Sequence, residues 1–234
     1  MTRLDEPVER YFRNAIRDDA VRGRGVRLTM SGRIKVGTWL HFKGVEMCNG
    51  RSFVWQARVA GGLLVVTDRF DLEAGSTEGR LFGRMRLFRS ADVDTTRSAA
   101  GRAALEAIWT PRSLLPENGV TWRADSDELI VASWDVPPER PELHLRIDDG
   151  GAVLSAWAQR WRGDAGYVPC GCEVHEHRRW GDLVVPSRVT VGWDFGTPAY
   201  RPFFSAHVEG LAENWPRPTP PRSHGRQPDP RGQR

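Results

Sequence analysis

The sequence predicts a mainly β (α+β) fold, a strongly curved antiparallel sheet or half-barrel of about a dozen strands with two covering helices. Over residues 25–90 and 120–209, apolar and polar residues alternate in short segments, which is the period of a half-buried strand. Turn residues recur roughly every 8–12 positions, as in an antiparallel meander. Ten tryptophans, most at strand positions, exceed what a flat two-layer core needs, and a strongly curved sheet has room for them.

The first helix begins at Asp5-Glu6-Pro7, where an acidic cap precedes a proline that needs no N–H partner. One apolar stripe follows it at helical spacing, formed by Val8, Tyr11, Phe12, Ala15 and Ile16. The second helix is predicted over residues 92–109, and Pro111 ends it. Its alanine-rich side permits a close approach to a sheet, so we expect this helix to lie across the strands.

The strands are predicted between these elements by their alternation. Gly32 allows a bend in the first, Gly61-Gly62 and residues 75–79 are predicted turns, and residues 148–151 carry a strong hairpin signal. The predicted strands span residues 26–36, 39–47, 53–59, 63–72, 81–87, 120–124, 129–136, 143–147, 153–161, 171–180, 183–195 and 203–209.

The charge distribution indicates one neutral domain over residues 1–215. The chain has 34 Lys and Arg against 30 Asp and Glu, but residues 216–234 hold five arginines and one aspartate, so the rest balances. We therefore expect no nucleic-acid binding by the fold. Residues 216–234 also contain six prolines and no aliphatic or aromatic residue, which predicts a disordered Pro/Arg-rich tail.

Three features of the sequence bear on where the protein is expected to reside: its apolar runs, its first residues and its cysteines. The longest clear aliphatic run, residues 63–66, is far shorter than the roughly 20 residues of a membrane span. Residues 1–7 lack the apolar stretch of a secretory signal, and three cysteines are too few for a disulfide framework. We expect a cytoplasmic protein without a membrane span.

The aromatic residues suggest two interpretations. They either fill a well-packed core or line an apolar pocket on the concave side of the sheet. The candidate pocket residues are Trp39, Phe53, Trp55, Phe70, Met85, Trp134, Trp157 and Trp193. Arg102 and Glu106 lie one turn apart on the second helix and form either an exposed ion pair or, with Arg97, a polar group at the mouth of the pocket.

Two stretches resemble an uncharacterised bacterial family, a domain of unknown function, over residues 8–210. The first contains Asp68-Arg69-Phe70, the predicted turn at residues 75–79, Arg97-Ser98-Ala99-Ala100-Gly101-Arg102, Glu106, Trp109 and Pro111. The second contains Tyr167-Val168-Pro169, Pro186-Ser187-Arg188 and Gly192-Trp193-Asp194-Phe195-Gly196-Thr197. The strand–helix–strand layout is similar to the lipoprotein-carrier fold, in which a curved antiparallel sheet holds lipid under helices. The resemblance adds Trp109 to the candidate ligand-binding residues and favours a headgroup role for Arg97, Arg102 and Glu106.

One stretch could instead hold a metal. Glu173, His175 and His177 alternate along a predicted strand and would share one face, so two histidines and a carboxylate could chelate an ion. The alternative is a polar, solvent-facing strand surface. Cys170 and Cys172 have the other parity and would need a bulge to join the histidines.

The leading hypothesis is non-catalytic binding of an apolar or amphipathic, lipid-like small molecule, with no cofactor. No catalytic residue is assigned, because nucleophile elbows, zinc-protease helices and glycine-rich phosphate loops do not occur in recognisable form. The alternatives are a metal-dependent enzyme that uses Glu173, His175 and His177, and a structural or regulatory interaction module. The oligomeric state is left open.

Overall fold

A computed structural model of the chain describes residues 4–17 and 25–213. It contains one open, strongly curved antiparallel sheet of 13 strands, which confirms the predicted half-barrel. The strands are β1 (Val26–Val36), β2 (Thr38–Cys48), β3 (Ser52–Val59), β4 (Leu64–Asp71), β5 (Gly75–Leu81), β6 (Met85–Ser90), β7 (Thr121–Ala124), β8 (Leu129–Ser133), β9 (Glu142–Ile147), β10 (Val153–Trp161), β11 (Tyr167–Trp180), β12 (Leu183–Trp193) and β13 (Arg201–Glu213).

The strand order places the two ends of the meander side by side. The order is β6-β5-β4-β3-β2-β1-β13-β12-β11-β10-β9-β8-β7, so each strand neighbours the next in sequence except β6, which does not neighbour β7. The first strand, β1, pairs with the last, β13, in the middle of the sheet. The consecutive strands β6 and β7 form the opposite edges. The chain between them therefore crosses the concave face from edge to edge.

This crossing segment carries the second predicted helix. α2 (Val93–Leu105) begins at Asp92, whose side chain accepts a 2.7 Å hydrogen bond from the Thr95 N–H, and three short 3-10 turns follow α2. The buried side of α2 consists of small residues and one leucine, and the helix packs against β5 and β10. The predicted close approach of helix and sheet is confirmed. The buried residues are Ala99, Ala100, Gly101, Ala103, Ala104 and Leu105.

The first helix covers one end of the half-barrel. α1 (Glu6–Ala15) contacts β7, β8 and β12. Its buried rings, Tyr11 and Phe12, lie 5.6 Å and 5.4 Å between centroids from the ring of Trp122 on β7. This aromatic cluster fixes α1 to the sheet and excludes water from that end of the core.

The predicted turn at residues 75–79 is wrong, because these residues form strand β5. The glycines of β5 allow side chains of α2 and β6 to approach its backbone closely. A Cβ atom at Gly75 would lie 2.8 Å from the Cβ of Ala99 on α2, and one at Gly79 would meet the ring of Phe88 on β6. The turn itself follows at residues 82–84.

The described residues include neither the predicted tail over residues 216–234 nor its junction with the sheet. Within the described part of the chain, neither α1 nor α2 has the length and apolar character to cross a membrane.

Replacement of Gly75 tests the packing of α2 on the sheet. Gly75→Ala places a methyl group against Ala99 and the backbone of Thr96, so α2 must move outward. We expect a loss of about 1–3 kcal/mol in the free energy of unfolding, measured by urea titration. Ser76→Ala, at the neighbouring position on the other side of the strand, is the control and should change stability by less than about 0.5 kcal/mol. Equal losses for the two variants would contradict the close contact.

Candidate functional site

A cavity of about 160 Å³ lies between the crossing segment and the concave face of the sheet. Strands from both halves of the half-barrel contribute to its wall, and most of the lining side chains are apolar. An apolar cavity of about 150 Å³ in another protein binds benzene, so this cavity has room for a small organic group. The apolar lining residues are Ile34, Trp55, Leu105, Ile108, Trp109, Gly171, Cys172, Val189, Val191, Phe203 and Phe204.

One wall of the cavity is polar, and its residues form a row across three strands. Glu46 on β2 is directly paired with Trp55 on β3, which is paired in turn with Asp68 on β4. Arg102 of α2 lies over this row. Its guanidinium carbon is 5.2 Å from the Trp55 ring centroid, and its nitrogen atoms reach Asp68 Oδ2 at 2.6 Å and Glu46 Oε1 at 3.5 Å.

Glu106 completes this cluster from the turn after α2. Its Oε1 atom accepts a hydrogen bond of 2.5 Å from Arg102 Nε. Glu46 and Glu106 are both buried, with exposed fractions of 1% and 6%. One buried arginine therefore faces three carboxyl groups, and we refer to Glu46, Asp68, Arg102 and Glu106 as the charge cluster.

Burial determines the protonation of the charge cluster. It raises the pKa of Glu46 well above the usual value, and the nearby carboxyl group of Glu106 raises it further. Both effects favour the protonated form of Glu46. Burial alone would lower the pKa of Arg102, but the adjacent Glu106, Glu46 and Asp68 raise it, so the guanidinium stays charged.

Two buried side chains lie beside the charge cluster, the Trp109 indole, which is anchored by a hydrogen bond, and the Cys172 thiol, which is unreactive. Trp109 donates from Nε1 to the carbonyl oxygen of Pro186 at 3.1 Å, which anchors the turn after α2 to β12. Burial raises the pKa of the Cys172 thiol to about 12, so the thiol is protonated at neutral pH.

A polar groove of about 460 Å³ lies next to the cavity, beside α2. Asp68, Arg102 and Arg160 line both spaces, so the charge cluster stands at the boundary between them. The groove is lined mainly by polar side chains, together with the rings of Phe53, Trp161 and Trp193. An apolar interior next to a polar groove is an arrangement that suits an amphipathic molecule.

The family of unknown function DUF6544 has a sequence model that matches residues 1–206. The chain belongs to the DUF6544 family. This identification confirms the resemblance found in the sequence. The family description gives no activity, and membership of a family does not by itself assign one.

Two solved structures are similar to the chain at 7% sequence identity. One is a domain assigned as an outer membrane lipoprotein-sorting protein from Vibrio parahaemolyticus, with a TM-score of 0.48 over 89% of this chain and 91% of that one. The other is a DUF1329 family protein from Desulfovibrio piger, with a TM-score of 0.48 over 89% of this chain and 92% of that one. No curated protein sequence matches the chain.

Six of the predicted ligand-binding residues surround the cavity or its groove. Trp55, Arg102, Glu106 and Trp109 line the cavity. Phe53 and Trp193 line the groove, where Arg102 lies 4.4 Å from the Phe53 ring centroid and Arg160 lies 4.9 Å from that of Trp193.

The structure places three predicted residues in the packing around the site. Phe70 is buried behind Phe53, with 6.4 Å between ring centroids. Trp134 is buried and donates from Nε1 to the carbonyl oxygen of Gly50. Arg97 lies outside the cavity lining, where it pairs with Glu139 at 2.9 Å and stacks on Trp161.

The other three predicted residues lie away from the cavity. Trp39 is 36% exposed near Arg33, and Met85 is 58% exposed on the edge strand β6. Trp157 stacks between His144 and Phe195 on the convex face. An irregularity in the pairing of β10 with β9 between Val153 and Ser155 shifts the strand by one residue, which reverses the face that each later side chain takes.

The proposed metal ligands are separated by irregular pairing in β11. Two register shifts lie between Val174 and His177, so strict alternation fails where it was assumed. His175 contacts the hydroxyl of Thr190 at 2.9 Å, whereas His177 is half-buried with its Nε2 atom enclosed. Within residues 4–17 and 25–213, no group of three or more His, Cys, Asp and Glu residues has a metal-binding arrangement.

Sequence reasoning missed Glu46, Asp68 and Arg160 as parts of the site. A signal for Glu46 exists, because it occupies an inward position in the segment of residues 40–48, whose other inward residues are apolar or glycine. A charged residue on the buried face of a strand needs a partner. The partner, Arg102, is distant in sequence, so only the folded structure identifies it.

Removal of Arg102 should strongly destabilise the fold. Arg102→Met leaves three carboxyl groups close together without their cation, and we expect a loss of about 3–5 kcal/mol in the free energy of unfolding. Arg123→Met is the matched control, because Arg123 pairs with Glu142 at an exposed position and should cost less than about 1 kcal/mol. Urea titration of both variants at neutral pH measures the difference, and similar losses would contradict the central role of Arg102.

Replacement of Glu46 should change how stability depends on pH. Because its pKa is raised in the folded state, the contribution of Glu46 to stability is complete below the usual glutamate pKa and is lost as pH rises through the folded value. Glu46→Gln removes this loss. We expect the stability of the variant relative to the parent protein to rise between about pH 4 and pH 8.

Thermal unfolding across this pH range measures the effect of Glu46→Gln. Glu128→Gln, in an exposed ion pair with Arg146, is the control and should show a much weaker trend. A stability difference for Glu46→Gln that stays constant with pH would show that Glu46 is not protonated preferentially in the fold.

Proposed function

We propose that this DUF6544 protein binds an apolar or amphipathic small molecule in the cavity under α2, without catalysing a reaction on it. The observation that carries the proposal is the cavity itself, about 160 Å³ of space with a mainly apolar lining and one polar wall beneath α2. Protein interiors rarely leave voids much larger than a water molecule, so an unfilled apolar space of this size points to a guest.

The size of the cavity limits the part of the ligand that is enclosed. By comparison with the cavity that binds benzene, it accepts a segment of about six non-hydrogen atoms. A longer lipid-like molecule would have to extend into the polar groove beside α2, passing Asp68, Arg102 and Arg160. We therefore expect a ligand with a compact apolar end and a polar remainder.

The charge cluster supports selectivity at the boundary. Arg102 is held by carboxyl groups on both sides and has 18% of its side chain exposed, so it has little freedom to turn towards a ligand. A fixed polar wall beside an apolar cavity orients a bound molecule with its polar part towards the groove.

A brominated alcohol tests the proposal, because bromine quenches tryptophan fluorescence on contact. We expect 6-bromohexan-1-ol to quench the protein saturably, since Trp55 and Trp109 line the cavity. Val191→Phe places a ring into the same space and should raise the dissociation constant at least about tenfold. Val54→Phe makes the same change on the other side of strand β3, away from the cavity, and should leave binding within about twofold.

Two outcomes would overturn the proposal: no saturable quenching in the parent protein, or equal quenching in the Val191→Phe variant. Native mass spectrometry of the freshly purified protein complements the titration by detecting any small molecule that co-purifies.

A further inference from the structure

A basic groove of about 830 Å³ lies on the convex face, opposite the cavity. It runs across six adjacent strands, from β3 through β2, β1, β13 and β12 to β11. Among the described residues that line it, four carry a positive charge, three are histidines and none is acidic. These residues are Arg33, Lys43, Arg58, Arg188, His41, His175 and His207.

The strand register places three of these cations, Arg58, Lys43 and Arg188, in one row across the sheet. Arg58 is directly paired with Lys43, Lys43 with Ser31, Ser31 with His207, and His207 with Arg188. Neighbouring strands are about 4.8 Å apart, so this row spans roughly 19 Å.

A second row lies two residues further along β1. Arg33 is paired with His41 on one side and with Ser205 on the other, and Ser205 is paired with Thr190. Thr190 in turn contacts His175 through its hydroxyl. The two rows together present cations, imidazoles and hydroxyl groups, all of which can donate hydrogen bonds to an anion.

The clustered cations lower the stability of the fold when no anion is bound in the groove. Like charges directly opposite each other on neighbouring strands are unfavourable, and Lys43 and Arg58 are such a pair. Within the described part of the chain, no carboxylate lies within ion-pair distance of Arg33, Lys43 or Arg58. An anion bound between Lys43 and Arg58 would relieve this repulsion.

From this juxtaposition we infer that the convex groove is a binding site for a compact phosphate-bearing molecule. Arginine offers a planar fork that matches phosphate oxygens, and lysine adds a mobile point charge. Carboxylates along the rows limit the length of the ligand. At the β11 end, Glu176 pairs with Arg188 at 3.2 Å and Glu173 is opposite Thr190, and at the centre of the first row Glu209 accepts a hydrogen bond from Ser31. A long polyanion would have to pass these carboxylates, whereas a diphosphate would not.

Inorganic pyrophosphate is the probe, and isothermal titration of the full chain is the measurement. We expect saturable binding that weakens as sodium chloride is added. The double variant Lys43→Met and Arg58→Met keeps the side-chain stems and removes both charges, and should raise the dissociation constant at least about tenfold. The matched control is Lys35→Met with Arg84→Met, two exposed cations outside the groove, which should leave the dissociation constant within about twofold.

Thermal unfolding gives a second measurement that does not depend on the heat of binding. Without pyrophosphate, the Lys43→Met and Arg58→Met variant should be at least as stable as the parent protein, because the repulsion is gone. Addition of pyrophosphate should raise the melting temperature of the parent and the control but not of this variant.

Three results would overturn the inference. The first is absence of pyrophosphate binding, and the second is equal binding by the parent protein and the Lys43→Met and Arg58→Met variant. The third is binding only to vesicles containing phosphatidylglycerol or only to a single-stranded RNA, with none to pyrophosphate. None of these results bears on the cavity under α2, which lies on the other face of the sheet.

Discussion

The crossing of the concave face by a single segment is the constraint on which the rest of this structure depends. Because β6 and β7 are consecutive in sequence and lie at opposite edges, the chain between them has to pass over the inner surface of the sheet. That surface is apolar, so the segment must bury itself along most of its length. Three features hold the segment against this surface. They are the small residues of α2, the close contact of α2 with Gly75, and the hydrogen bond from Trp109 to Pro186.

Arg102 shows how such a segment can carry charge into the interior. Its guanidinium is paired with carboxyl groups from β2, β4 and the turn after α2, and it lies against two aromatic rings. Each of these carboxyl groups would be costly if it were buried alone, and the arginine compensates for all of them at once. The same contacts leave the apolar cavity on one side and the polar groove on the other, so one cluster both holds the fold and divides the candidate site.

The general architecture was predictable from local patterns, whereas the site was predictable only in part. Strand alternation and turn spacing are local properties, and so is the small-residue side of α2. The faces of Trp157 and His177 were not predictable, because one irregular pairing reverses every later side chain in a strand. The local pattern predicts a turn at Gly75, although the glycine allows α2, which lies about 20 residues further along the chain, to approach β5 closely. Glu46 could not be assigned to the site from the sequence, because its partner Arg102 is distant along the chain.

The pairing of β1 with β13 has a consequence for the synthesis of the chain. The strand β1 leaves the ribosome well before β13, yet these two strands are neighbours in the centre of the sheet. The meander of β1–β6 can form early, but its inner edge stays open until β13 emerges. Assembly of the complete sheet therefore depends on a contact of very high sequence separation, and such contacts form slowly. During that interval the open edge of β1 exposes unpaired backbone groups, and such edges are where incompletely folded chains associate.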